Sequence, residues 1–252
     1  MSSHSIRRLL LGLIALPLAL GLAACDSKPD EMGGLSGEVV AKVPPPAGKS
    51  WADRVEKTAD GGYRMGNPDA PIKLIEFASL TCPHCAHFAQ EGSVELRDNF
   101  VAGGRVSWEF RNFILNPIDL TMAMMVRCGA PESFFALTEQ SFENQETIIS
   151  GWDSASEDQR SAVVGLPPAK RYLYIAQLTG LTDFYGARGI AADQASTCLA
   201  DGAAAEALVD ATTKQGEQYE IEGTPAFVIN GATQSANTWP EIKAKLETMG
   251  AR

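Results

Sequence analysis

The chain has 252 residues, of which 45% are hydrophobic and 21% charged. That is the composition of an ordinary globular protein, long enough for one good hydrophobic core and an inserted subdomain. The formal net charge is −10, and no basic stripe follows the first few residues. Since the backbone of a nucleic acid attracts Lys and Arg, this charge balance excludes nucleic acid as an expected partner.

The N-terminus predicts export. Arg7 and Arg8 precede an apolar run over 9–24, which is shorter than the roughly 20 residues of a spanning helix and is typical of a signal peptide over residues 1–24. The run ends in Leu22–Cys25, which resembles the lipobox of bacterial lipoproteins. That resemblance implies cleavage before Cys25 and lipidation of this cysteine. The alternatives are an ordinary cleavage site with a chance cysteine, or an uncleaved anchor.

Residues 25–50 are predicted to form a disordered tether. The segment contains several glycines and the triplet Pro44-Pro45-Pro46, and it shows no apolar periodicity. Such a sequence cannot bury enough surface to offset its ordering entropy, and proline-rich stretches act as semi-stiff spacers. Behind a lipidated cysteine it would form a stalk on the periplasmic side of the cell envelope. By resemblance to enterobacterial lipoproteins, Asp26 implies retention at the inner membrane.

The next segment predicts a hairpin followed by a β-α-β unit. Residues 55–65 fit two short strands around a glycine-rich turn. Residues 72–77 form a nearly continuous apolar run, as expected of a strand buried on both faces. A helix is predicted from 82 to about 100, and the alternation of apolar and polar residues over 106–113 predicts the next strand.

A long helical block then separates this unit from the last strand. Apolar residues recur at helical spacing over 117–215, a strand pattern returns at 226–231, and 241–249 closes with an amphipathic helix. This order predicts one α/β domain, formed by 51–116 and 216–252, that carries the helical block as an insertion.

The motif that carries chemistry is Cys82-Pro83-His84-Cys85, directly after a buried strand and at the start of a helix. The helix N-terminus favours a Cys82 thiolate, and His84 is expected to stabilise it further. A stabilised thiolate is a good leaving group, so the disulfide would be easily reduced and the protein an oxidant. The alternatives are a structural disulfide or a zinc site that includes His87. Pro83 stiffens the loop and no second cysteine-rich knuckle exists, so neither metal nor cofactor is expected.

The sequence here resembles the DsbA family of periplasmic disulfide oxidoreductases, whose typical active-site tetrapeptide is Cys-Pro-His-Cys. The resemblance runs from about Arg54 to the C-terminus, and Gly223-Thr224-Pro225 is similar to the cis-proline loop of that family. It implies a thioredoxin-like fold with an inserted helical subdomain. It also implies that Pro225 faces the redox pair and that Thr224 offers its backbone to a substrate strand.

Glu76 lies on the apolar strand that precedes the motif, where an unpaired carboxylate would be costly to bury. The spacing between Glu76 and Cys82 resembles that of the buried acidic residue in the DsbA family. The resemblance implies that Glu76 accepts or relays the proton of Cys85 during exchange. The alternative is that Glu76 points outward from a strand with one buried face.

Two further cysteines are left for another role. If Cys25 carries lipid and Cys82 pairs with its neighbour, Cys128 and Cys198 remain among the five cysteines of the chain. An exported compartment would let them form a second disulfide, and the alternative is two buried free thiols that pack as small hydrophobic side chains.

The predicted function is oxidation of cysteine pairs in exported, unfolded proteins through a Cys82–Cys85 disulfide. The resemblance implies re-oxidation by a quinone-linked membrane partner, and we expect a monomer. The alternative is an isomerase or reductase kept reduced by a membrane donor. Such relatives are usually dimers with a dedicated N-terminal domain, which 26–50 is too polar and too rich in glycine and proline to supply. Thr224 occurs in both classes. A third possibility is a non-catalytic, metal-binding lipoprotein.

Overall fold

Two parallel strands form the centre of the sheet. The computed structural model of the protein describes residues 37–252. Within this part of the chain six strands lie in the order β1-β2-β4-β3-β5-β6. β3 and β4 are parallel, and each other neighbouring pair is antiparallel. The strands are β1 (Val55–Lys57), β2 (Tyr63–Gly66), β3 (Ile72–Ala78), β4 (Val106–Asn112), β5 (Ala226–Ile229) and β6 (Ala232–Thr233).

The helices fall into two groups. α1 (Pro83–Glu95) follows β3 and continues as a π-helical segment over Leu96–Val101, and α10 (Trp239–Thr248) follows the last strand. A block of helices lies between β4 and β5. It consists of α2 (Pro117–Val126), α3 (Phe134–Glu143), α4 (Gln145–Asp153), α5 (Glu157–Gly165), α6 (Pro168–Leu178), α7 (Leu181–Gly186), α8 (Ala192–Ala200) and α9 (Gly202–Gln218). This order confirms the predicted α/β frame with a helical insertion.

Aromatic side chains hold helices from both groups against one face of the sheet. Phe88 of α1 contacts Phe227 of β5, with ring centroids 4.6 Å apart. Trp108 of β4 contacts Phe135 of α3 at 4.7 Å. Buried aromatic rings contribute large apolar areas and favour tilted contacts such as these. The frame and the insertion therefore share one hydrophobic core.

β4 is present where the alternation of apolar and polar residues predicted a strand, and all seven of its residues are buried. The strand lies between β2 and β3, so both of its edges are paired. On the polar face, Glu109 is bound by Arg111 Nε at 2.7 Å and by the Thr58 hydroxyl at 2.8 Å. Polar residues can occupy a buried face when partners of this kind satisfy them.

Residues 37–50, here called the N-terminal strap, lie against the folded domain. The Gly37 N–H donates to the carbonyl of Thr248 at 3.2 Å, at the end of α10. The Val43 N–H donates to the carbonyl of Gly103 at 3.1 Å, just before β4. These backbone bonds, which composition does not reveal, fix the path of the strap.

The strap corrects one sequence expectation. The disordered tether was expected over 25–50, but 37–50 pack on the domain, so a spacer is limited to residues before 37. The signal peptide over 1–24, Cys25 and the remaining tether residues lie outside the described part of the chain. Among residues 37–252, no helix combines the length and the apolar character needed to cross a membrane.

Candidate active site

The Cys-Pro-His-Cys motif lies at the carboxyl end of β3. After Ala78 the chain turns through Ser79–Cys82, and α1 begins at Pro83 with Cys82 as its N-cap residue. Proline suits the first helical position because its missing N–H would have had no helical partner. Its ring also fixes the backbone directly after Cys82.

The cis-proline loop meets this helix end. The Thr224–Pro225 peptide bond is cis, as the DsbA resemblance implied. The Cys82 thiol donates to the Thr224 carbonyl, with 3.2 Å between sulfur and oxygen. The loop before β5 is thus brought against the motif across 142 positions of sequence.

The two cysteines, both free thiols here, are in unequal surroundings. A hydrogen bond from the Cys85 thiol is the largest cause that lowers the pKa of Cys82, to about 5. The backbone amides of Cys85 and His84 lower it further, while burial opposes them. Burial is also the main cause that raises the pKa of Cys85 well above its usual range. Cys82 is 7% exposed and Cys85 is 0% exposed, so the residue with the lowered pKa is the more accessible of the two.

The histidines of α1 lie on its exposed side. His84 contributes its backbone amide to the Cys82 sulfur. The residue also lines a groove beside Pro225 and Trp239, and stabilisation of Cys82 by its side chain stays a prediction. His87 lies 3.4 Å from Glu91, one turn further along the helix. Within the described residues, no group of three or more His, Cys, Asp or Glu could hold a metal ion.

Glu76 points into the protein. It is 1% exposed, and its Oε2 accepts a hydrogen bond from the Trp108 indole at 2.9 Å. Its neighbours across the sheet are Phe110 and Phe227. Burial raises the pKa of Glu76 to about 8, and the bond from Trp108 only partly opposes this. The outward-pointing alternative is therefore wrong, and the group can change its protonation near neutral pH.

Three polar residues that the sequence did not single out, from the start of the helical insertion onward, contact the turn before Cys82. These residues are Asn116, Asp119 and Gln145. Asn116 also caps α2, since its Oδ1 accepts the amides of residues 118 and 119. A signal was available for Asp119, a lone carboxylate within the apolar run of α2 whose side chain is fully buried.

The remaining cysteines form a disulfide. Cys128 and Cys198 are bonded, with their Cα atoms 5.9 Å apart, and they link the segment after α2 to α8. The bond closes a loop of 70 residues within the helical insertion. The sequence had left this pair open between a bridge and two free thiols.

Residues 58–248 match the family model described as thioredoxin. Among solved structures, the protein-disulfide isomerase from Novosphingobium aromaticivorans is 36% identical in sequence and superposes with a TM-score of 0.71. That match covers 75% of this chain and 99% of the other. Alpha-DsbA1 from Wolbachia pipientis, with 21% identity and a TM-score of 0.59 over 75% of this chain and 90% of its own, shares the fold.

The curated Rickettsia relatives also carry names that refer to protein disulfides, but they are longer than this chain. A Rickettsia bellii protein provisionally named protein-disulfide oxidoreductase is 25% identical over 73% of this chain and 62% of its own length. The chain thus spans less than two thirds of that relative. The thioredoxin family model matches well over half of the chain, and the Novosphingobium structure is matched along almost its entire length. The chain therefore belongs to the thioredoxin family, within which it is similar along most of its length to a protein-disulfide isomerase.

Proposed function

We propose that the chain oxidises cysteine pairs of exported proteins through a redox disulfide between Cys82 and Cys85. The observation that carries this proposal is the contrast between the two thiols. Hydrogen bonds lower the pKa of Cys82 to about 5 and the residue is slightly exposed, whereas Cys85 is fully buried and burial raises its pKa. A pair whose reduced form is stabilised by a low thiolate pKa is a strong oxidant.

The exchange would proceed in two steps. A substrate thiolate attacks the Cys82 sulfur of the disulfide, the S–S bond breaks, and Cys85 leaves with the electron pair and takes up a proton. A second substrate thiolate then attacks the substrate sulfur of the mixed disulfide and releases Cys82 as a thiolate. Two electrons pass from substrate to enzyme. Glu76, with its raised pKa, would supply the proton to Cys85.

The loop before β5 would hold the substrate backbone. The Thr224 carbonyl lies 3.2 Å from the Cys82 sulfur, so an extended segment that pairs with Thr224 has its cysteine next to Cys82. The groove lined by His84, Pro225 and Trp239 continues from this point. We include in the proposal the lipid anchor at Cys25, the periplasmic face of the inner membrane, a quinone-linked partner for re-oxidation and a monomeric state.

A second candidate function is disulfide isomerisation. It is favoured by the 36% identity to the Novosphingobium protein, which is named a protein-disulfide isomerase. Thr224 before the cis-proline is compatible with either direction. An isomerase needs its pair reduced, so the two functions differ in the potential at which the pair exchanges electrons.

The decisive measurement is the reduction potential of the Cys82–Cys85 pair, by equilibration of the full chain in glutathione buffers. The Cys128→Ser/Cys198→Ser double variant serves as control for the second disulfide. A potential near about −120 mV supports the oxidase, whereas about −180 mV supports the isomerase. A potential near about −270 mV would refute the oxidase and indicate a reductase.

A further inference from the structure

Side chains of the helical insertion bind the turn that carries Cys82. Asp119 of α2 is fully buried, and its Oδ1 accepts the backbone N–H of Leu80 at 2.8 Å. Its other oxygen accepts the N–H of Leu115 at 2.9 Å, which ties the start of the insertion to the same carboxylate. Hydrogen bonds that a carboxylate accepts from amides are about twice as strong as neutral ones.

Gln145 holds the opposite side of the same turn. It is the first residue of α4 and is 5% exposed. Its Nε2 donates to the carbonyl of Leu80 at 2.8 Å and to the carbonyl of Cys82 at 3.0 Å. One amide group therefore binds two carbonyls of the turn. The Cys82 carbonyl also accepts the Ala86 N–H at 3.2 Å, so Gln145 adds a second donor to it.

Thr81, which lies between Leu80 and Cys82, is bound by a side chain as well. Asn116 Nδ2 donates to the Thr81 hydroxyl at 2.8 Å, and the Ser79 hydroxyl lies 3.1 Å from the same oxygen. Leu80, Thr81 and Cys82 are thus each bound by a side chain of the insertion. The turn connects β3 to α1 through the backbone, and the helical block adds these side-chain hydrogen bonds to it.

We infer that Gln145, together with Asp119, is a positioning residue that fixes the Cys82 sulfur at the N-terminus of α1. The inference rests on the proposed redox pair. The amides of His84 and Cys85 stabilise a Cys82 thiolate only while the sulfur stays beside them. Gln145 binds the Cys82 carbonyl from the side of the insertion, whereas the Ala86 N–H binds it from α1, and the two bonds together hold this residue at the helix end. Because Gln145 is buried, it does not contact the substrate and affects the reaction only through the position of Cys82.

The test compares Gln145→Met with Ser141→Ala in the full-length, reduced protein. Methionine keeps the volume of the glutamine and removes its donor. Ser141 is also a buried residue of the insertion, but its hydroxyl bonds to Tyr185 at 2.7 Å and to the Leu137 carbonyl. Each variant is followed by the ultraviolet absorbance of the Cys82 thiolate against pH and by urea denaturation.

We expect Gln145→Met to raise the ionisation midpoint of Cys82 by about one pH unit, because the sulfur moves away from the helix amides. The pair should become less oxidising by about 30 mV, which is the same change expressed as a potential. Ser141→Ala should lower stability and leave the midpoint unchanged. If Gln145→Met does not fold, Gln145→Leu replaces it, since leucine also lacks the donor and adds no charge beside the Cys82 sulfur.

A folded Gln145 variant whose midpoint stays within about 0.2 pH units of the wild-type value would overturn the inference and leave Gln145 a structural residue only. Failure of the proposed function would look different. In that case the wild-type protein itself would show an ordinary Cys82 midpoint, or a reduction potential outside the oxidising range, whatever the Gln145 variants do.

Discussion

Replacing Glu76 by glutamine should change how the stability of the protein depends on pH. The folded protein keeps the Glu76 proton up to about pH 8, whereas a free glutamate loses it near 4.5. Between these values unfolding releases a proton, so the contribution of Glu76 to stability is complete below pH 4.5 and is lost as the pH rises through 8. The loss is about 1.4 kcal/mol per pH unit, or about 5 kcal/mol over the whole interval.

The assay is urea denaturation of the reduced protein at a series of pH values, for the wild type and for Glu76→Gln. Every other titrating group, Cys82 included, is present in both proteins and cancels in the difference. We expect the difference in unfolding free energy to move in favour of Glu76→Gln by about 3 kcal/mol between pH 5 and pH 7. Glu206→Gln, on an exposed position of α9, is the matched control. A difference that stays constant over this range would refute the burial argument for Glu76.

Cys82, Gly92 and the Cys128–Cys198 disulfide can each be tested separately. The alkylation rate of reduced Cys82 by iodoacetamide should reach half of its plateau near pH 5, and an inflection near pH 9 would contradict the lowered pKa. Gly92→Ala should lower the urea midpoint by the equivalent of about 1–3 kcal/mol, because its Cβ would lie 2.7 Å from the rigid Trp239 ring. Removing the 70-residue Cys128–Cys198 link with two serines should lower the unfolding free energy by about 2–4 kcal/mol, and an unchanged midpoint would count against it.

Local patterns predicted those parts of the fold that depend on local chemistry. The structure contains the strand predicted from the apolar run of β3 and the helix predicted after the cysteines. It also contains helices from residue 117 onward, as the helical spacing of apolar residues predicted. β6 was not predicted, because two residues, Ala232 and Thr233, carry too little pattern to show a strand. The burial of the polar residues of β4 could not be predicted, since it depends on partners such as Thr58, which lies 51 positions from Glu109.

The same distinction applies to the candidate site. Cys82 and Cys85 are adjacent in sequence and at a helix start, so their chemistry could be predicted from local context. Gln145 gave no such signal, because a glutamine at the start of a helix is ordinarily exposed to solvent. Its role depends on the packing of α4 against the turn before Cys82, a contact across 63 positions of sequence. Only the folded structure brings these groups together.

The path of the N-terminal strap determines which end of the domain it covers. Val43 is bound just before β4, at the end of the sheet where the parallel strands begin. Cys82 follows β3 at the opposite end, about 20 Å away along the strands. The strap is thus bound at the end of the domain remote from its cysteines, and it leaves uncovered the groove through which a substrate would approach Cys82.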